Sequence, residues 1–392
     1  MQKMIAVRIL ITSVCCLCHA TLLLADSADA CLAPGQWVRP TTAGAMPDSI
    51  NHILAGARDA QFVLLGEAHD NPEHHLWQLQ TLGMLLGQRD KLVIGMEMFP
   101  RRVQNVLDRW VAGELTESQL LDQSDWNRNW RFDPDLYLPI LRFARLNRVP
   151  VVALNVERSL ISETGANGWD AVETERREGV TDPAPASEAY RDRLRSSFQQ
   201  HGERDESAFE NFVQAQLIWD RAFAQALAAA AVSHPQALVV GIIGSGHLSY
   251  GHGVPHQLHS LGIEKVIVWL PKPVATACDE LADIADAVFG MEDGERTSPP
   301  RLGIYLLDTD DGIEIRDVLP GSVAEKAGLA SGDRIVAAAG VRVRRSDDVI
   351  ALIRRQSPGT WLPLTITRDE QTLELVAKFP ASAPATDAED GK

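Results

Sequence analysis

Residues 64–80, LLGEAHDNPEHHLWQLQ, finish an apolar run that begins at Phe62 and then place Glu67, His69, Asp70, Glu73, His74 and His75 within nine positions. A continuous apolar run such as FVLL at 62–65 suits a strand buried on both faces. Asn71 followed by Pro72 is a helix start, because the Asn side chain can cap free backbone N–H groups and proline has none to leave unpaired. The stretch therefore reads as strand, polar turn and helix. Three accounts of its polar side chains stand open: a metal or cofactor site, a general acid/base pair, or the polar start of a surface helix.

Working outward, four further runs have the same character: LVIGM at 92–96, VPVVAL at 149–154, ALVVGII at 237–243 and KVIVWL at 265–270. Helical segments separate them, including DPDLYLPILRFARLN and the long DESAFENFVQAQLIWDRAFAQALAAAAV, where Phe209, Val213, Leu217 and Phe223 fall near a 3.6-residue period. Alternating strands and helices predict an α/β fold with a mainly parallel sheet flanked by helices. The polar stretch 162–205, with TDPAPASEAY as a break, reads as a helical excursion. At 290–300, GMEDGERTSPP marks a linker. Beyond it, 301–380 holds short alternating strands and two short helices, a small α+β unit. The last residues, ASAPATDAEDGK, have nothing to pack and are expected to be disordered.

With 53 acidic against 37 basic residues, the 392-residue chain carries a formal charge of −16, which repels nucleic acid and anionic lipid. Past residue 30, no segment has the ~18 uninterrupted apolar residues that a transmembrane helix needs. The first thirty residues differ: Lys3 and Arg8 precede ILITSVCCLCHATLLL, and ADA at 28–30 is a cleavage pattern, so 1–30 reads as a signal peptide and the destination as the periplasm. Cleavage there exposes Cys31, raising a lipid anchor as one reading, although Ala28 stands where that signal prefers Leu. Cys15, Cys16 and Cys18 lie in the signal, leaving Cys31 and Cys278, which could pair.

Each strand-like run is followed at once by distinctive polar residues: Glu67 and His69, Glu97, Asn155, and His247. In an open parallel sheet these ends share one edge, so the residues converge. Two carboxylates and two imidazoles there could hold a divalent cation such as Mn or Zn, with one carboxylate left as general base for a bound water. His74 and His75, about 100° apart on a helix, read as surface or helix-packing residues, and His256 and His259 as a solvated pair. Gln216 and Asp220 fall on the apolar stripe of the long helix, where an unpaired carboxylate is costly, so one of them should support the site from behind. GSGHLSYGHGVP at 244–255 contributes Tyr250, whose phenolate could ligate ferric iron. Trp126 and Trp130 either wall a flat ligand or pack in the core.

Five ordered stretches, LLGEAHDNPEHH, GMEMF, YLPILRFARLNRVPVVALNVERSL, AQLIWD and GSGHLSYGHGVP, resemble the ChaN family of bacterial haem-binding lipoproteins linked to iron uptake, over about residues 60–270. The wider superfamily includes Tiki, TraB and erythromycin-esterase-like proteins with paired G-x-x-H motifs, matched here by Gly66 to His69 and Gly244 to His247, with Glu67 and Glu97 as the acidic members. The resemblance implies haem as ligand, with Tyr250 the preferred iron-ligand candidate and Asn155 a further contact. The wider superfamily implies instead a metal-dependent hydrolase or protease. The unit at 301–380, from RLGIYLL through VLPGSVAEKAGLASGDRIVAAAGVRV, resembles a PDZ domain of the protease-associated type. That implies a peptide partner added as a strand, its carboxylate held by the loop Arg301, Leu302, Gly303 and Ile304, with SDDVIALIRR lining the groove. A homodimer is compatible with all of this.

Overall fold

The computed structural model describes residues 31–42, 44–200, 205–292 and 300–381. The signal segment 1–30, most of the linker and the tail from 382 lie outside the described residues. The five apolar runs are strands: β3 (Phe62–Glu67), β4 (Leu92–Pro100), β5 (Val151–Asn155), β6 (Leu238–Gly244) and β7 (Val266–Pro273). Three more were not anticipated, β1 (Trp37–Thr41), β2 (Gly44–Asp48) and β8 (Ala287–Met291). The sheet order is β2-β1-β8-β7-β3-β6-β4-β5. Neighbours from β8 to β5 are parallel, while β1 pairs antiparallel with β8 and β2. β8 runs through Met291, past the boundary at 290 read from composition, because Gly290 and Met291 pair with Lys272 and Pro273.

The strands are apolar on both sides because both faces are covered. On β3, Val63 and Leu65 enter one core while Phe62 and Leu64 enter the other, all fully buried. The first core is covered by α1 (Pro72–Gln88) and α2 (Pro134–Leu146), which pack on each other. Asn71 caps α1 by accepting the Glu73 N–H at 3.0 Å. The excursion supplies α3 (Glu188–Gln199), and the long α4 (Glu206–Ser233) packs on β4, β5 and β6 across the second core. Tyr190, Leu194 and Phe198 of α3 meet Phe209, Val213 and Leu217 of α4 in a small core of their own.

Cys31 and Cys278 form a disulfide. A sulfur so bonded cannot also carry a thioether-linked lipid, so this bond and an anchor on Cys31 exclude each other. No described helix is long and apolar enough to cross a membrane.

The C-terminal unit is a separate antiparallel sheet of β9 (Ile304–Thr309), β10 (Gly312–Val318), β11 (Arg334–Ala338), β12 (Val341–Arg342), β13 (Trp361–Arg368) and β14 (Gln371–Lys378). Its order is β14-β13-β11-β10-β9, with β12 on β11, and it has its own core. β9 lies at the edge, beside α5 (Ser346–Arg354). Gly303 sits at φ +84°, and a Cβ there would lie 2.3 Å from that of Ser322, so only glycine fits this turn. The Leu302 and Gly303 carbonyls accept N–H bonds from Ala324 and Leu319, both 2.9 Å, which fixes the turn that leads into Ile304.

Candidate functional site

β3, β6 and β4 are neighbours and end on the same edge, with Glu67 in register with Gly244. Parallel pairing is what carries two motifs nearly two hundred residues apart to one place. His69 Nδ1 donates to Glu67 Oε1 at 2.8 Å, and its Nε2 lies 3.9 Å from Glu97 Oε1. The Gly244 N–H donates to Glu97 Oε2 at 2.6 Å. His247 follows on the turn after β6, and its Nδ1 donates to Asp220 Oδ1 of α4 at 2.7 Å. His247 is close enough to Glu97 and His69 to feel both charges.

The two imidazoles are supported in the same way. Behind His69, Tyr137 of α2 donates its hydroxyl to Glu67 Oε1 at 2.7 Å. Behind His247, Tyr190 of α3 donates to Asp220 Oδ2, also at 2.7 Å. Each buried carboxylate thus orients one histidine and is itself held by one tyrosine. Gln78 adds a third donor to Glu67 at 3.0 Å. Aromatic rings flank both imidazoles: Trp130 and Phe132 stand 4.7 and 5.2 Å from His69, and Trp219 and Phe223 stand 5.4 and 5.3 Å from His247. Among the described residues no hydrogen bond engages the Nε2 of either histidine.

Burial alone would raise the Glu67 carboxyl, but the His69 hydrogen bond, the His75 and His69 charges and the Tyr137 hydroxyl outweigh it and hold it below the usual range. Burial alone would lower both histidines. For His69 the Glu67 hydrogen bond and the Glu97 charge reverse that, and for His247 the Asp220 charge and hydrogen bond do, so both imidazoles titrate above their ordinary value. Tyr137 and Tyr190 are pushed up by burial and by their carboxylate partners, so they remain donors.

The structure brings together Glu67, His69, Glu97, His247 and Asp220. Glu67 is not a free ligand as expected, since its oxygens are committed to His69, Tyr137 and Gln78. Among the described residues no group of three or more His, Cys, Asp and Glu side chains is arranged to hold a metal ion. Asn155 donates to the Glu97 carbonyl at 2.9 Å and accepts from Trp219 Nε1 at 2.8 Å and the Val156 N–H. Its amide is a strut beneath the site. Of the α4 pair, Asp220 is the supporting residue, fully buried, while Gln216 is half-buried with no part in the network. Tyr250 stays outside the cluster: it is 40% exposed, in a left-handed conformation, with its ring on His252 and near Arg193. His74 and His75 are buried, not on the surface. His74 Nδ1 accepts the Ala68 N–H at 2.8 Å, and His75 lies 3.5 Å from Glu67. Trp126 packs in the core, whereas Trp130 lies on His69. His256 is not simply solvated, lying 3.0 Å from the Pro185 carbonyl.

Sequence reasoning missed Tyr137, Tyr190, Phe132, Gln78 and the roles of His74 and His75. A lone tyrosine on the aliphatic stripe of DPDLYLPILRFARLN was the signal for Tyr137. Tyr190, inside a stretch read as a polar break, gave none. Gly253 is also required: a Cβ there would lie 2.4 Å from the His247 carbonyl and 2.8 Å from Asp220 Oδ1. Gly253→Ala is expected to cost about 1–3 kcal/mol by overpacking, whereas Gly246→Ala, where a Cβ meets open space, stays within about 0.5 kcal/mol of wild type. Urea unfolding of the two variants checks this.

A hollow lined by Lys91, Leu92, Pro150, His234 and Gln236 lies at the opposite, N-terminal ends of β4, β5 and β6, away from His69 and His247.

The family model described as haem-binding uptake, Tiki superfamily, ChaN, matches residues 53–258, and a PDZ model matches 314–368. A solved structure described as cofacial heme binding to ChaN of Campylobacter jejuni superposes with a TM-score of 0.50 at 18% identity, covering 66% of this chain and 98% of that one. At that identity the likeness concerns the fold. A probable periplasmic serine protease of the do/HhoA-like type from Haemophilus influenzae is 28% identical over 102 residues, 26% of this chain. The chain spans only 22% of that relative's length.

Proposed function

The chain belongs to the haem-binding uptake family ChaN of the Tiki superfamily, and from that premise we propose that its α/β domain binds haem through His69 and His247 and serves iron uptake. The observation that carries the reading is the pair of imidazoles, each fixed at Nδ1 by a buried carboxylate, each with no hydrogen bond on Nε2 among the described residues (His69 Nε2 stands 3.9 Å from Glu97 Oε1) and each flanked by aromatic rings. The residues fit the group. Neutral imidazole nitrogen is an iron ligand, a carboxylate behind it raises its basicity, and indole and phenyl rings suit a porphyrin face. Bound haem would supply a ferric centre. The protein's own contribution is orientation: Glu67 and Asp220 select the tautomer, and Tyr137 and Tyr190 keep those carboxylates in place.

The PDZ module is proposed to recruit a peptide or protein partner by strand addition at β9, with Leu302, Gly303 and Ile304 at the peptide carboxylate. Export to an oxidising compartment such as the periplasm is supported by the Cys31–Cys278 disulfide.

Hemin titration followed at the Soret band tests the reading. His69→Ala and His247→Ala should each weaken binding about tenfold or more, while Tyr250→Phe should leave it intact. No band with wild type, or a band lost only in Tyr250→Phe, overturns the assignment. Because Nε2 must be free of its proton to bind iron, affinity should fall as pH drops below the raised histidine values, by up to about tenfold per pH unit for each imidazole.

A further inference from the structure

The peptide-binding module is tied to the histidine site by a continuous set of contacts. α5, which stands beside the edge strand β9 in the PDZ unit, turns its other flank to residues 125–135 of the first domain. Arg345 pairs with Asp125, Asn127 donates to Asp348 at 3.3 Å, and Arg131 lies 3.7 Å from Asp347. Arg354 donates to the Arg131 carbonyl and Arg355 to Asp135, both at 2.6 Å. Between these anchors lie Trp130 and Phe132, the two rings against His69.

Two properties make this seam suited to switching. Asp125 and Arg131 both hold positive φ, 55° and 66°, which non-glycine residues keep only where their surroundings hold them. The surroundings here include the charged groups of α5. The pairs themselves are partly exposed, so each is weak and exchangeable. On the other flank of the helix, Ser346 donates both its N–H and its hydroxyl to Asp308 of β9, at 2.7 and 2.8 Å, bridging α5 to the edge strand. A strand added along β9 has to pass between Asp308 and Ser346.

We propose that the PDZ groove is a control input to the histidine site: an extended peptide entering between β9 and α5 breaks the Ser346–Asp308 bridge, frees the first turn of α5 from residues 125–131, and loosens Trp130 and Phe132 from His69. The coupling needs no long path, because Arg345 and Asp347 are the immediate neighbours of Ser346. Its effect on hemin rests on the function proposed above, but its effect on residues 124–132 does not.

Hydrogen exchange by mass spectrometry on the full chain without hemin separates the two. Arg345→Ala combined with Arg355→Ala breaks the seam, Asp308→Ala breaks only the groove bridge, and Arg334→Ala, whose partner is the exposed Asp311, is the control. Expected is exchange over 124–132 about fivefold faster or more in the first two, unchanged in the control, with β10 and β13 protected throughout. Unchanged exchange in the seam variant overturns the proposal. So does acceleration in the seam variant with none in Asp308→Ala, which leaves a static interface unlinked to the groove. Hemin dissociation should accelerate in the same two variants. If hemin does not bind at all, the haem reading fails and the exchange result still decides the coupling.

Discussion

Glu67→Ala is expected to destabilise the chain by about 3–5 kcal/mol, the cost of breaking a buried charged pair by removing one partner. The carboxylate is 2% exposed and receives His69, Tyr137 and Gln78, with His75 at 3.5 Å. Truncation takes the orienting partner from His69 and strands Tyr137, Gln78 and His75 in a dry interior, where an unpaired donor loses its water and gains nothing. Glu67→Gln keeps the shape but places an amide where His69 and Tyr137 both donate, so it should fall between wild type and alanine. Thermal unfolding checks the order, with a melting point roughly 10 °C lower for alanine. Because Glu67 titrates below its ordinary value when folded, its contribution is present above about pH 4.5 and is lost as pH falls through the folded value. The gap between wild type and Glu67→Ala should therefore narrow in acid. An alanine variant as stable as wild type at pH 7 would show that the network is not formed.

Removing the Cys31–Cys278 bond is the second large effect. The residues are 247 apart in sequence, so the bond closes most of the first domain into one loop and strongly restricts the unfolded chain. Cys278→Ser is expected to cost about 2–5 kcal/mol, and reduction of wild type should lower its stability to match. The bond also joins residue 31 to the segment following β7, so limited proteolysis should release the residues before β1 more readily once it is gone. Intact mass before and after alkylation of the purified chain distinguishes the disulfide from a lipid on Cys31. A lipid-sized mass addition, or two freely alkylated thiols in the non-reduced protein, would refute the pairing.

Much of the central architecture was legible because a strand buried on both faces must be apolar throughout. FVLL, LVIGM, VPVVAL, ALVVGII and KVIVWL each became a parallel strand, and Asn71–Pro72 began a helix where the capping chemistry requires one. β1 and β2 were not legible: WVRPT and GAMPD are half-buried, antiparallel and carry proline, so no apolar run announces them. β8 escaped because its last residues resemble the start of a linker.

The candidate site divides along the same line. Residue type and position at strand ends singled out Glu67, His69, Glu97 and His247, and a costly carboxylate on an apolar stripe singled out Asp220. What the sequence by itself determined is therefore a parallel sheet with acidic and imidazole groups along one rim, followed by a small PDZ-like unit. Tertiary structure decided the roles. Hydrogen-bond geometry turned Glu67 from a ligand into the orienter of His69, left Tyr250 outside the cluster, and brought in Tyr137 and Tyr190 from separate helices. Local pattern reports whether a side chain is buried, because burial follows the period of its own strand or helix. Which atoms then meet depends on how distant elements pack, and no single segment encodes that.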